Sequence, residues 1–288
     1  CSPREGGPPR GRRRDPPPTY TSMSISFPFT ARTQEDFLDV WNDRRNFLIG
    51  PELVSFTNNL PSAEEVVDIL RKDPDSRVQF MNTADGDEKD ALIEKFKTAP
   101  LEQVIDLPFS LANFFLNNFY SPGSFLSDFQ RDVMIPWRTF LSSTGLTWQR
   151  CYPIIFISGK KCSSTYHVDV SHVVAWQTHG VKVFNGFKDP EGHAAVQHIV
   201  NNRQDYRVEQ IPEFDPDLIL AYRMEPGDLL WNQLLTPHWV TAEDGIAISV
   251  NISHGGIAYQ KAVCPNEQVL RAHWEDHPEE AWTVDERY

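Results

Sequence analysis

"TYHVDVSHVVAWQTHGVKVF", residues 165–184, sets a histidine and an aspartate on either side of one valine, at His167 and Asp169. In an extended strand alternate side chains share a face, so imidazole and carboxylate point together while Val168 and Val170 face the other way. Two inward polar groups cost free energy unless something satisfies them. A divalent cation would do so, and so would a hydrogen bond inside the pair. The spacing alone leaves both readings open.

A second stretch, "MEPGDLLWNQLLTPHWV", residues 224–240, supplies a partner. His238 lies beyond a Pro-Gly-Asp turn and the short strand "LLWN", just before another apolar segment, so a returning strand can bring its ring beside the first pair. Two imidazoles and one carboxylate fill one triangular face of an octahedral ion and leave three positions open. That set suits non-haem Fe(II), and zinc or manganese are also compatible with it. The remaining histidines fit less well. His172 falls on the opposite face of an unbroken strand from His167. His179 sits at a turn and is expected to be exposed, His193 and His198 belong to a polar insertion, and His254 follows a strand where it could line the mouth of a barrel.

Outward from these stretches the chain reads as many short strands. "RCYPIIFISG", the opening stretch, "VKVFNGF", "LILAYRM", "LLWN", "HWV" and "GIAISVNIS" are separated by Gly/Pro turns, which favours a double-sheet barrel over a parallel α/β fold. The strands on either side of His179-Gly180 are expected to form a hairpin. Residues 188–217 form a polar insertion with a strand candidate at "YRVEQI", and a brief helix is expected around "NEQVLRAHW". Before residue 150 the pattern is mostly helical. Residues 33–48 carry a cap at Thr33 with Asp36, and "SAEEVVDILRK" pairs Ser62 with Glu65 in a capping-box pattern. "DEKDALIEKFKTA", "SLANFFLNNF" and part of 124–143 read as further helices, and "SRVQFMN" as a strand. The expected division is a flexible Pro/Arg-rich segment at 1–22, a mostly helical elaboration packing on the barrel at 23–150, the barrel itself at 151–264 and a short tail at 265–288. Trp176, Trp231 and Trp239 are read as packing residues.

The formal charge, 27 basic against 40 acidic residues, is −13, which argues against a nucleic-acid backbone as main partner. No apolar run approaches the roughly 20 residues of a membrane span, and the start lacks the order of a secretory signal. Cys1, Cys151, Cys162 and Cys264 show no CxxC spacing, so a reducing compartment is expected, with Cys151 and Cys162 as buried strand thiols. The localisation read from this is intracellular, in the cytoplasm, with the nucleus left open. Oligomeric state is not legible.

Together, "STYHVDVSHVVAWQTHGVKVF" and "MEPGDLLWNQLLTPHWVTAEDGIAISVNIS" resemble the two motifs of the JmjC/cupin-like family of Fe(II)- and 2-oxoglutarate-dependent oxygenases. The resemblance implies a mainly β fold, with a double-stranded β-helix (jelly-roll/cupin) core and a helical N-terminal elaboration. It implies iron ligation by His167, Asp169 and His238, a cosubstrate anchor at Lys182 assisted by Ser164, and a cofactor-pocket residue at Asn251. It further implies decarboxylation of 2-oxoglutarate to succinate and CO2, with O2 as cosubstrate, coupled to oxidation of a substrate C–H bond. The HxD motif leans toward a hydroxylase, and the acidic charge permits a protein or peptide substrate. A small-molecule hydroxylase of the same family, a metal-dependent cupin without 2-oxoglutarate and a non-catalytic binding barrel are the alternatives. The chain departs from the pattern in "WNQLLTPHWV", which lacks the usual proline and paired aromatics before the distal histidine. It departs again at Ser253 and His254, where some members carry aromatic groups.

Overall fold

The computed structural model describes residues 25–57, 59–80, 86–202, 207–208 and 213–281. The segment 1–22, most of "YRVEQI" and the end of the tail lie outside the described residues. The N-terminal part runs β1 (Thr30–Ala31), α1 (Gln34–Val40), β2 (Phe47–Ile49), α2 (Ala63–Leu70), β3 (Ser76–Phe80), α3 (Asp87–Thr98), β4 (Phe109–Asn113) and α4 (Ile135–Ser143). Both capping boxes form: Thr33 with Asp36 starts α1, and Ser62 with Glu65 starts α2. In each, the side-chain oxygen takes an otherwise unpaired N–H of the first turn.

Two segments differ from the sequence expectation. The helix expected over 33–48 stops at Val40, and Phe47–Ile49 becomes a strand that pairs with β1 and with a later strand. "SLANFFLNNF" is not a helix over its first half. Phe109, Leu111 and Asn113 alternate into the interior, and β4 pairs with β3 on one side and a central strand on the other. The period of two decides that segment once a neighbouring strand is available.

The rest of the chain supplies β5 (Leu146–Thr147), β6 (Arg150–Ser158), β7 (Tyr166–His167), β8 (His172–His179), β9 (Lys182–Phe187), α5 (Pro190–His193), α6 (Val196–Asn201) and β10 (Arg207–Val208). Then come β11 (Ile219–Met224), β12 (Leu229–Asn232), β13 (Trp239–Ala242), β14 (Ala247–Gly255), β15 (Ala258–Tyr259), β16 (Ala262–Val263) and α7 (Pro265–Asp276). Eight strands form one sheet in the order β1-β2-β12-β8-β14-β6-β4-β3, and β11-β9-β13 form another. Smaller sheets join β10 to β7 and β16-β15 to β5. The expected hairpin between β8 and β9 is absent. Gly180, at φ +60°, instead sends the chain from the large sheet into the three-stranded one.

The large sheet has two faces with different partners. On its outer face Phe37 of α1 packs edge-on against Phe47 and Trp231, at 5.8 and 5.5 Å between centroids, and Phe96 of α3 lies 4.6 Å from Phe109. Each such fully buried aromatic contributes about 1.5–3 kcal/mol by leaving water. Its inner face meets the three-stranded sheet, where Ala175 and Leu230 pack with Phe184, Leu220, Tyr222 and Met224. The result is a mixed α/β architecture with two facing sheets and an inter-sheet space. Trp176 and Trp231 pack in the outer core, and Trp239 packs with Tyr166 and Phe187. Cys151 lies buried in β6, whereas Cys162 is buried in the loop after it.

Candidate metal centre

The two histidines of the candidate site are cross-strand neighbours. His167, at the end of β7, bridges to His238, just before β13; each N–H donates to the other's carbonyl, at 3.0 and 2.9 Å. Such a close antiparallel pair sets the side chains together, and the rings lie 4.3 Å apart between centroids. Asp169 follows in the loop beyond β7. Its Oδ1 is 3.8 Å from His167 Nε2 and its Oδ2 is 3.5 Å from His238 Nε2. One ligand atom from each residue falls within 4.8 Å of the others, the only such group of three among the described residues.

The hydrogen bonds behind the rings orient them for a metal. His167 Nδ1 donates to the Thr165 carbonyl at 2.7 Å, and His238 Nδ1 donates to the Thr236 carbonyl at 2.9 Å. With the proton held at Nδ1, each Nε2 keeps its lone pair and turns it toward Asp169. His238 is almost fully buried, and this burial, followed by the neighbouring His167, lowers its imidazole to about 4. It is therefore neutral at pH 7, the state a metal requires. Phe184 stacks on the same ring at 4.9 Å and 10°. Two nitrogens and one carboxylate, convergent and partly open on the Asp169 side, match an Fe(II)-binding facial set.

Lys182 reaches the inter-sheet space from β9. Its side chain is 3 % exposed, and its ammonium donates to the Phe156 carbonyl and to Ser249 Oγ, each at 3.0 Å. No carboxylate pairs with it among the described residues, and burial lowers the amine to about 7. On β14 the side chains alternate: Ile248, Val250 and Ile252 join the outer core, while Ser249, Asn251 and Ser253 face inward. Asn251 Oδ1 is buried there without a hydrogen-bond partner. The Ser164 hydroxyl accepts from the Val240 N–H at 2.9 Å and donates to the Thr165 carbonyl at 3.2 Å. It ties the strand ends together, and no hydrogen bond joins it to Lys182.

The other histidines separate cleanly. His172 faces the outer core, stacked on Trp231 with Nε2 3.4 Å from Glu267 Oε2. His254 does not line a mouth. It is fully buried, accepts from Trp137 Nε1 at 2.6 Å and donates from Nδ1 to the His172 carbonyl, so both nitrogens are satisfied by packing the sheet's outer face. His179 is half-buried rather than exposed, because Nε2 reaches the Pro61 carbonyl at 2.9 Å. His193 stacks on Phe187 and His198 is exposed. Sequence reading missed Ser249 and Phe184. The signal for Ser249 was present in "AISVNIS", where polar residues recur every second position in an apolar strand. Two surface clefts of about 580 and 390 Å³, at Glu64–Arg71 and at Ser124–Asp132, include no residue of the triad.

No family model matches the chain, and no curated protein matches it by sequence. Among solved structures, Escherichia coli ycfD aligns at 18 % identity and a TM-score of 0.50, over 88 % of this chain and 60 % of that one. The Escherichia coli ribosomal oxygenase YcfD in complex with cobalt and 2-oxoglutarate aligns at 16 % identity and a TM-score of 0.48, over 88 % and 58 %. The chain thus spans 58 to 60 % of the length of that protein in these two structures. At this identity the likeness is one of fold alone. No described helix is long and apolar enough to cross a membrane.

Proposed function

We propose that this chain is an Fe(II)- and 2-oxoglutarate-dependent oxygenase that hydroxylates a side chain of a protein or peptide. One observation carries the reading: a convergent His167–Asp169–His238 set shares the molecule with Lys182, a buried ammonium that no described carboxylate neutralises. The first feature fits an octahedral ion with vacant positions. The second fits the distal carboxylate of a small dicarboxylic acid, because an ammonium in a dry, confined space gains most from an anionic partner.

When bound, the metal and the keto acid activate O2 and oxidise a substrate C–H bond, with succinate and CO2 as coproducts. The protein's own groups do the positioning. His167 and His238 present Nε2 because Thr165 and Thr236 hold their Nδ1 protons. Asp169 acts as a ligand and not as a general base. Phe184 walls the His238 ring, and the apolar cluster between the sheets excludes water from that side. Lys182 anchors the distal carboxylate while Ser249 orients its amine. Asn251 offers a buried amide oxygen that lacks a donor. Ser164 serves the anchor indirectly, by holding Val240 two residues before Ala242, the register partner of Lys182. A cationic polypeptide is the substrate class that the formal charge of −13 favours.

The test supplies Fe(II), 2-oxoglutarate and O2 with a pool of basic peptides, then measures succinate and peptide mass. Wild type is expected to form succinate and to add the mass of one oxygen atom to a peptide. His167→Ala and Asp169→Ala are expected to lower succinate formation by about 100-fold or more. Equal succinate from wild type and His167→Ala would contradict the proposal.

A further inference from the structure

We infer that Arg44 is a positioning residue for the metal centre, holding the loop that presents His238 through the backbone carbonyl of Leu235. This rests on the ligand set proposed above. Residues 233–238 connect β12 to β13 and make a turn in which the Thr236 N–H donates to the Gln233 carbonyl at 3.2 Å. Within it Leu235 adopts φ +58°, in the left-handed region that side chains other than glycine's seldom adopt. Such a conformation persists only when its surroundings over-determine it.

The surroundings do so from both sides of this one residue. The Leu235 N–H donates to the carbonyl of Asp169 at 2.7 Å, and its own carbonyl accepts from Arg44 Nη2 at 2.5 Å. The next carbonyl, that of Thr236, takes the Nδ1 proton of His238. A continuous line of hydrogen bonds and backbone therefore runs from Arg44 through Leu235 to Asp169 and to His238. Leu235 itself is fully buried, so the turn cannot relax into solvent. Asn266 of α7 supports the opposite side, donating to Gln233 Oε1 at 2.9 Å.

Arg44 is seated firmly enough to act as a brace. Its side chain is 9 % exposed, pairs with Glu191 of α5 and donates to the Ala194 carbonyl at 2.7 Å. The guanidinium fork thus serves three acceptors on two segments, which a lysine ammonium on a flexible stem cannot do with the same geometry. Without Arg44 the Leu235 carbonyl is left buried with no donor, and the least costly response is for the loop to turn, carrying His238 Nε2 off the common point.

The experiment titrates Mn(II) into the full chain by electron paramagnetic resonance, following free metal, for wild type, Arg44→Ala and Arg44→Lys. Urea unfolding in parallel confirms that each variant is folded at the titration condition. Arg44→Ala is expected to weaken Mn(II) about tenfold or more, and Arg44→Lys to fall between it and wild type. Should Arg44→Ala not fold, Arg44→Lys decides alone, with at least threefold weakening expected. If the folded variants bind Mn(II) within twofold of wild type while urea resistance drops, Arg44 is only structural and the inference fails. A wild type that binds no Mn(II) overturns the ligand set itself, and the positioning role with it.

Discussion

At the scale of single residues, the informative groups are those whose buried charge meets no counter-ion. Lys182 is one. Its folded-state amine lies at about 7 because burial disfavours the charged form, against 10.5 for an exposed lysine. Between those values the unfolded chain holds a proton that the folded chain has lost, so this group makes stability rise with pH from about 7 toward 10.5. Below about 7 both states are protonated and the full cost of the buried charge remains. Lys182→Met is therefore expected to resist urea better than wild type at pH 6.5, by about 1–3 kcal/mol. The gap should narrow as pH approaches 10. The same linkage governs the anchor, since a dicarboxylate binds the ammonium form. Calorimetric titration of 2-oxoglutarate into the Mn(II)-loaded protein should show affinity falling by up to about tenfold per pH unit above 7. Affinity independent of pH across that range would remove Lys182 from the anchor.

His167, Asp169 and His238 were all legible as a candidate set from spacing and from the turn before His238. The identity of the groups behind them was not. Carbonyls of Thr165 and Thr236 carry no side-chain signature, and the contact between Arg44 and Leu235 spans 191 positions in sequence. Ser164 was legible as a hydroxyl before HxD, yet its hydrogen bonds go to backbone groups that only the strand pairing brings within reach.

At the scale of elements, local signals were read well and strand partners were not. The capping boxes at Thr33 and Ser62 need only four consecutive residues, so sequence specifies them fully. By contrast, "SLANFFLNNF" contains apolar residues at both helical and strand spacings, and only pairing with β3 and β6 selects the strand. The junction after β8 shows the same limit. "THGV" looks like a hairpin turn, but Gly180 carries the chain between sheets. A β-carbon there would adopt an unfavourable φ and run into the Ile246 carbonyl. Gly180→Ala is expected to cost about 2 kcal/mol or more in urea unfolding, because strain and steric overlap act together. A loss below about 0.5 kcal/mol would show that this junction tolerates rearrangement.

At the scale of the whole molecule, two sheets meet face to face with a largely apolar interface, into which β14 introduces Ser249 and Asn251 and β9 introduces Lys182. Such an arrangement is costly for stability alone, since a well-packed interface of this size needs no ammonium without a counter-ion. Its arrangement is intelligible if the space holds an anionic ligand beside a metal. The abundance of short strands was legible from the density of apolar runs and turns, while the joining of β1 to β4 into the large sheet rests on long-range pairings that periodicity does not report.

The most direct measurement is an anaerobic titration of the full chain with Fe(II) and then 2-oxoglutarate, followed by visible absorption. The expected result is a metal-to-ligand charge-transfer band that grows with 2-oxoglutarate, vanishes in His238→Ala and needs more cosubstrate in Lys182→Ala. Iron binding by wild type with no band at any 2-oxoglutarate concentration would contradict the account.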